Sequence, residues 1–142
     1  MELDLSWLTS RRLTAVEHAG HGTWRFHFGD DAEVHSDSPW RLFRDGRIAL
    51  SSEDHGHRYG LPGPIDAEAA CVAEVGGAVV RSAEVRDESR DFVVTFESGV
   101  RLEIVPLSSG YESWKLGGPG GLFVVAQGGG DLAVWSRGIG NR

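Results

Sequence analysis

Two carboxylates and two imidazoles, Glu53, Asp54, His55 and His57, fall within five consecutive positions, just ahead of the turn-forming run Tyr59, Gly60, Leu61, Pro62, Gly63, Pro64. Adjacent Asp and His side chains can exchange protons with a substrate, and Asp54, His55 and His57 together could supply oxygen and nitrogen ligands to a divalent metal. Glycine and proline just after them favour turns, so the first expectation is structural: Asp54 and His55 hydrogen-bond loop backbone and brace the following run. A binding surface is the second expectation, and a metal or catalytic site the third. His18 and His21 form a further imidazole pair in a loop, a spacing that alone says little about metal. A last set comes from a hairpin. If Phe28 pairs with Ala32, then His27 faces Glu33 and Arg25 faces His35, all on one polar strand face. Two histidines and a carboxylate there could ligate zinc or iron, but a solvated face with an ordinary cross-strand ion pair is the expected reading.

No known catalytic framework completes any of these sets. There is no Walker loop, no G-x-S-x-G elbow, no H-E-x-x-H and no paired-cysteine knuckle. The glycine runs at 117–121 and 128–130 lack the following helix that a phosphate cradle requires, because Asp131 to Trp135 alternates like a strand. They read as hairpin connections, with Gly128 to Gly130 suited to close approach of another backbone. No cofactor is expected.

The elements that would carry these residues follow from an internal repeat. Trp24, Phe26 and Phe28 align with Phe92, Val94 and Phe96, and after each three-residue turn Ala32 and Val34 align with Val100 and Leu102. Gly99 suits the left-handed position of its turn. Further along, Trp40 and Leu42 match Trp114 and Leu116, and each pair precedes a glycine turn and another apolar strand. Upstream of each first strand a short helix is expected: one over the stretch from Asp4 to Leu13, one over the stretch from Ala69 to Gly76. For the second, Asp66 serves as N-cap, Ile65 and Ala70 as a staple, and Gly76 as the left-handed terminator. The fold class is therefore α+β, mainly antiparallel β. Two pseudo-symmetric helix-plus-β-meander repeats, about 1–60 and about 66–136, flank a linker at 61–65 and precede a tail at 137–142. Neither repeat is large enough for a robust core alone, so both pack as one domain, a sandwich or barrel. Trp24, Phe26, Phe28, Phe92, Val94, Phe96, Leu102 and Ile104 should form that core.

Composition restricts the function classes. The chain of 142 residues has a net charge of −7, one lysine (Lys115) and scattered arginines, which disfavours a phosphate-backbone partner. No apolar run is long enough to cross a bilayer as a helix. The first residues are acidic, with arginines only later, the reverse of a secretory signal. Cys71 is the single cysteine, so an internal disulfide is excluded and a reducing cytoplasm is the expected location, with Cys71 a buried structural thiol.

The segments SPWRL, SSEDHGHRYGLPGPID, SSGYESWKL and VVAQGGG, in this order and spacing, resemble a family of small bacterial proteins catalogued only as a domain of unknown function. The resemblance runs from about residue 5 to residue 131 and implies no established activity. The GYESW and AQGGG segments are also similar to parts of some immunity proteins of polymorphic toxin systems. Small size, acidity and the lack of a catalytic set lead to a protein-interaction module, leaning away from an enzyme. Its expected partner is a basic toxin that it blocks as an immunity protein. Candidate contacts are Glu53, Asp54, His55, Tyr59, Tyr111 and Glu112. The alternative is a small-molecule or metal-binding protein, or a hydrolase, using Asp54, His55 and His57. A monomer or an edge-paired homodimer fits either reading.

Overall fold

Residues 3–136 are described by the computed structural model, and the C-terminal tail expected at 137–142 lies outside them. Among the described residues, alternating apolar positions produce eleven short antiparallel strands. The first five are β1 (Ala15–His18), β2 (Trp24–His27), β3 (Glu33–Ser36), β4 (Trp40–Arg44) and β5 (Arg47–Ser51). One helix, α1 (Ala67–Val75), precedes β6 (Val80–Val85), β7 (Phe92–Phe96) and β8 (Arg101–Ile104). The described residues continue with β9 (Trp114–Gly117), β10 (Phe123–Ala126) and β11 (Leu132–Trp135).

These strands form two open sheets rather than a closed barrel. A six-stranded sheet has the order β1-β2-β3-β9-β10-β11, and a five-stranded sheet has the order β5-β4-β8-β7-β6. The expected plan of one meander per half is thereby corrected: each sheet takes strands from both halves of the chain. After β3, Asp37, Ser38 and Pro39 carry the backbone into the other sheet, where β4 pairs with β8. After β8, residues 105–113 make the return, and β9 pairs with β3. The exchange lets Trp40 and Trp114 reach into the layer between the sheets. Trp24 meets Trp40 edge-on with ring centroids 5.0 Å apart, and Phe92 meets Trp114 at 5.1 Å.

Both hairpin registers follow the alternation. His27 faces Glu33 and Arg25 faces His35, while Phe28 and Phe96 donate their N–H groups to Ala32 and Val100. Gly99 has a φ of 96°, the left-handed value its turn needs. All eight residues expected in the core are buried, and they join one apolar cluster with Val34, Leu42, Leu116 and Val124.

The two expected helices differ in outcome. Asp66 caps α1 by accepting the Ala69 N–H, as its sequence implies. The terminator is Gly77, with a φ of 76°, rather than Gly76, whose backbone is extended. The reason is a neighbour: the Gly77 N–H donates to Leu13 O, so the chain turns toward the N-terminal segment one residue later. The stretch from Asp4 to Leu13 forms only a single 3-10 turn at Ser6–Leu8. Beyond it the backbone is captured by the start of β6, with Ser10 N–H donating to Val80 O and Arg12 bridging Val79. Tertiary pairing there overrides the helical pattern. The helix α1 packs against the two edge strands β1 and β5, one from each sheet. Among the described residues no helix is long and apolar enough to cross a membrane. Cys71 is buried, and burial, assisted by the Glu74 charge, pushes its thiol up to about 12.

Candidate functional site

The crossing at residues 37–39 is held from both sides. Ser36, fully buried, donates its hydroxyl to Ser38 O at 2.8 Å and accepts the Ser38 N–H at 3.1 Å. The Asp37 N–H donates to Ser113 O, and Pro39 O accepts the Val105 N–H, each at 2.8 Å. The Thr23 hydroxyl donates to Asp37 Oδ1 at 2.7 Å. Pro39 lacks an N–H and stands just before β4, a position where no ladder bond is forfeited.

Two surface grooves share this crossing as a common wall. One, of about 360 Å³, is lined by His18, His21, Trp24, Ser52, Glu53 and His55 together with Asp37, Ser38 and Pro39. The other, of about 670 Å³, is lined by Leu107, Ser108, Gly110, Tyr111, Glu112 and Ser113 with the same three residues. Four of the six candidate contacts, Glu53, His55, Tyr111 and Glu112, thus come from distant parts of the chain to either side of one wall. Among the described residues no lysine or arginine lines either groove. A wider depression, about 1080 Å³ between residues 3–9 and β6, contains none of the six.

The opening cluster resolves into separate partners. After β5, Ser52–Asp54 forms a 3-10 turn with a capping box: Asp54 Oδ2 accepts the Ser51 N–H at 2.9 Å, and the Ser51 hydroxyl oxygen accepts the Glu53 N–H at 3.1 Å. The other oxygen of Asp54 accepts the Tyr59 hydroxyl at 3.0 Å. That hydrogen bond, with smaller contributions from burial and from the Asp54 and Glu53 charges, raises the Tyr59 phenol above its ordinary range. His55 Nδ1 accepts the Ala67 N–H at 3.0 Å, at the start of α1, so a neutral ring carries its proton on Nε2. His57 instead stacks on Tyr59, with ring centroids 5.4 Å apart and nearly parallel planes. Asp54 and His57 therefore both meet Tyr59, while His55 serves the start of α1. Among the described residues no three His, Cys, Asp or Glu side chains converge so as to hold a metal ion.

The sequence had left His18 and His21 apart from this cluster, and the fold joins them to it. His18 stacks on Trp24 at 4.1 Å and meets His55 edge-on at 4.7 Å, while its N–H donates to Glu68 of α1. In the second groove, Ser108 Oγ accepts the N–H groups of Gly110 and Tyr111, which holds the loop and leaves Tyr111 82% exposed. Leu107 is similarly exposed, and Glu112 lies 3.6 Å from Lys115 Nζ. Sequence reasoning missed Asp37, Ser38, Pro39 and Leu107. The available signal was Pro39 just before a predicted strand, which marks a break in the ladder but not where the next strand pairs. On the hairpin face, His27 lies 2.6 Å from Glu17 and 3.6 Å from Glu33, and His35 is 3.3 Å from Asp37, each imidazole paired with carboxylate.

Within the Ser52–Asp54 turn, Ser52 and Asp54 bond backbone or Tyr59, while the exposed Glu53 carboxylate has no hydrogen-bond partner among the described residues. The chain belongs to a family of unknown function, DUF6188, whose model matches residues 4–136. No curated protein and no solved structure matches the chain.

Proposed function

We propose that this protein is a non-enzymatic interaction module that covers a basic surface of a protein partner with the two grooves beside residues 37–39. The reading rests on one observation: Glu53, His55, Tyr111 and Glu112 flank a single wall, with Asp37 on it, and no lysine or arginine among the described residues lines either groove. Exposed Tyr111 and Leu107 supply apolar contact area, and Glu53, Asp37 and Glu112 supply complementary charge. A basic toxin, with this chain as its immunity protein, is the partner class that fits such a blocking surface. The test is a pull-down from the native cell with tagged chain, in parallel with the double variant Glu53→Lys and Glu112→Lys. A stoichiometric basic partner should be retained by the parent and lost by the variant, with the difference greatest at low salt. Retention by both, or by neither, would remove the proposal.

We further infer that the fold arose by duplication, with β1 to β5 equivalent to β6 to β10. Supporting this are the two strand orders, in which β1-β2-β3-β9-β10 turns into β6-β7-β8-β4-β5 under that equivalence. The inter-sheet contacts Trp24 with Trp40 and Phe92 with Trp114 obey it as well, and so do the 3-10 turns Ser52–Asp54 and Gly128–Gly130 after β5 and β10. Superposing residues 15–54 on residues 80–130 in an experimental structure is the test, and the absence of any single rotation that relates them would refute it.

A further inference from the structure

A second charged surface, sharing no residue with the two grooves, covers the outer face of the five-stranded sheet. Its centre is Glu103 on β8, whose side chain is only 2% exposed although it faces outward. Three arginines cover it: Arg101 Nε at 2.7 Å, Arg86 Nη2 at 2.8 Å and Arg41 Nε at 3.0 Å. Arg86 also holds Asp91 at 3.0 Å through Nη1. Three guanidiniums against two carboxylates leave a surplus of one positive charge, on a chain whose net charge is −7.

Arg41 and Arg101 are unlike Arg86 in what they leave over. Each spends only Nε on Glu103, and neither Nη group of either residue has a hydrogen-bond partner among the described residues. Both guanidiniums lie over the Phe43 ring, at 5.0 and 4.5 Å from its centroid, a contact that favours holding them in place. Beside Phe43, across the β4–β5 ladder, Ile48 is 56% exposed. Covering Glu103 needs the Nε groups alone, so the paired Nη donors face solvent as two pre-oriented forks next to an apolar contact.

We propose that Arg41 and Arg101 form a carboxylate-binding site for an acidic segment of a protein partner, with Ile48 and Phe43 receiving an apolar side chain adjacent to the acid. Planar guanidinium forks match the two oxygens of a carboxylate. One carboxylate neutralises the local surplus, whereas a phosphate dianion would overshoot it. The test uses the isotope-labelled full chain, titrated by NMR with acetyl-Leu-Glu-Leu-amide, with the Gln analogue of that peptide, and with inorganic phosphate. The Glu peptide should shift the Arg41 and Arg101 Nε–H signals and the Ile48 methyls saturably, with the Gln peptide and phosphate each at least tenfold weaker. Arg101→Gln should weaken the Glu peptide at least tenfold, and Arg41→Gln should do the same if the first variant is poorly folded. Arg12→Gln, whose guanidinium bonds Gly77 O elsewhere, should leave it unchanged. Equal or tighter binding of phosphate or the Gln peptide, the absence of saturation, or folded variants that bind like the parent would each overturn the proposal.

Discussion

Replacing Gly128 by Ala tests whether the second groove is positioned by backbone contact. A β-carbon at residue 128 would stand 2.5 Å from the carbonyl carbon of Gly110 and 2.7 Å from its Cα and nitrogen. Carbon atoms pack at about 3.5 Å, so the two loops must separate by about 1 Å. The obstacle is backbone, which cannot rotate aside, and the Gly129 N–H to Ser108 O bond crosses the same contact. Overpacking of this kind costs about 1–3 kcal/mol. The control is Gly129→Ala: its φ of 81° penalises any side chain, yet the nearest atom to a β-carbon there is 3.5 Å away. That variant should lose about 1–2 kcal/mol without moving the neighbouring loop. Urea unfolding of both variants gives the energies, and amide shifts of residues 108–112 give the displacement. Loss of under about 0.5 kcal/mol in Gly128→Ala, the spread of ordinary surface changes, would refute the reasoning. So would unshifted amides at 108–112.

Three other outcomes follow from the packing and charge. Phe96→Ala should cost ~3–5 kcal/mol, because Phe96 is fully buried in the shared cluster; loss of under about 1 kcal/mol in chemical denaturation would contradict that placement. Glu103 should make folding acid-sensitive: burial pulls its carboxyl upward, but hydrogen bonds from Arg101, Arg86 and Arg41 outweigh it and hold the group below its ordinary value. A depressed folded value means the contribution is complete above the ordinary carboxylate range and lost as pH falls through the folded one, so Glu103→Gln should flatten the acid limb of a stability-versus-pH curve. Cys71, buried and with its thiol pushed up to about 12, should react with a thiol reagent at neutral pH only as fast as the chain opens, which a denaturant series of labelling rates would check.

The parts of the fold that were legible are those governed by local alternation. Phe28 with Ala32 and Phe96 with Val100 lie four residues apart, so the turn and the two-residue period together set their register. The pairings of β3 with β9 and β4 with β8 join remote segments, and no local pattern distinguishes them from a meander within each half. The same limit explains the N-terminal stretch, where Val80 and Val79 supply the bonds that prevent a helix. At the candidate site, Glu53, His55, Tyr111 and Glu112 could be picked out by type. Their convergence could not, because it is produced by the change of sheet at residues 37–39. Glu103 was invisible for a related reason: its arginines arrive from β4, β8 and the end of β6.

The exchange of strands between sheets also governs what happens when the chain is cut. Leu61 and Pro62 sit exposed in the connection between β5 and α1, where a protease could act without breaking any ladder. The resulting pieces would share both sheets, joined in one by the ladder of β3 with β9 and in the other by that of β4 with β8. Neither could leave without tearing open two layers at once, so a nicked molecule should survive as a tight two-piece assembly until it is denatured.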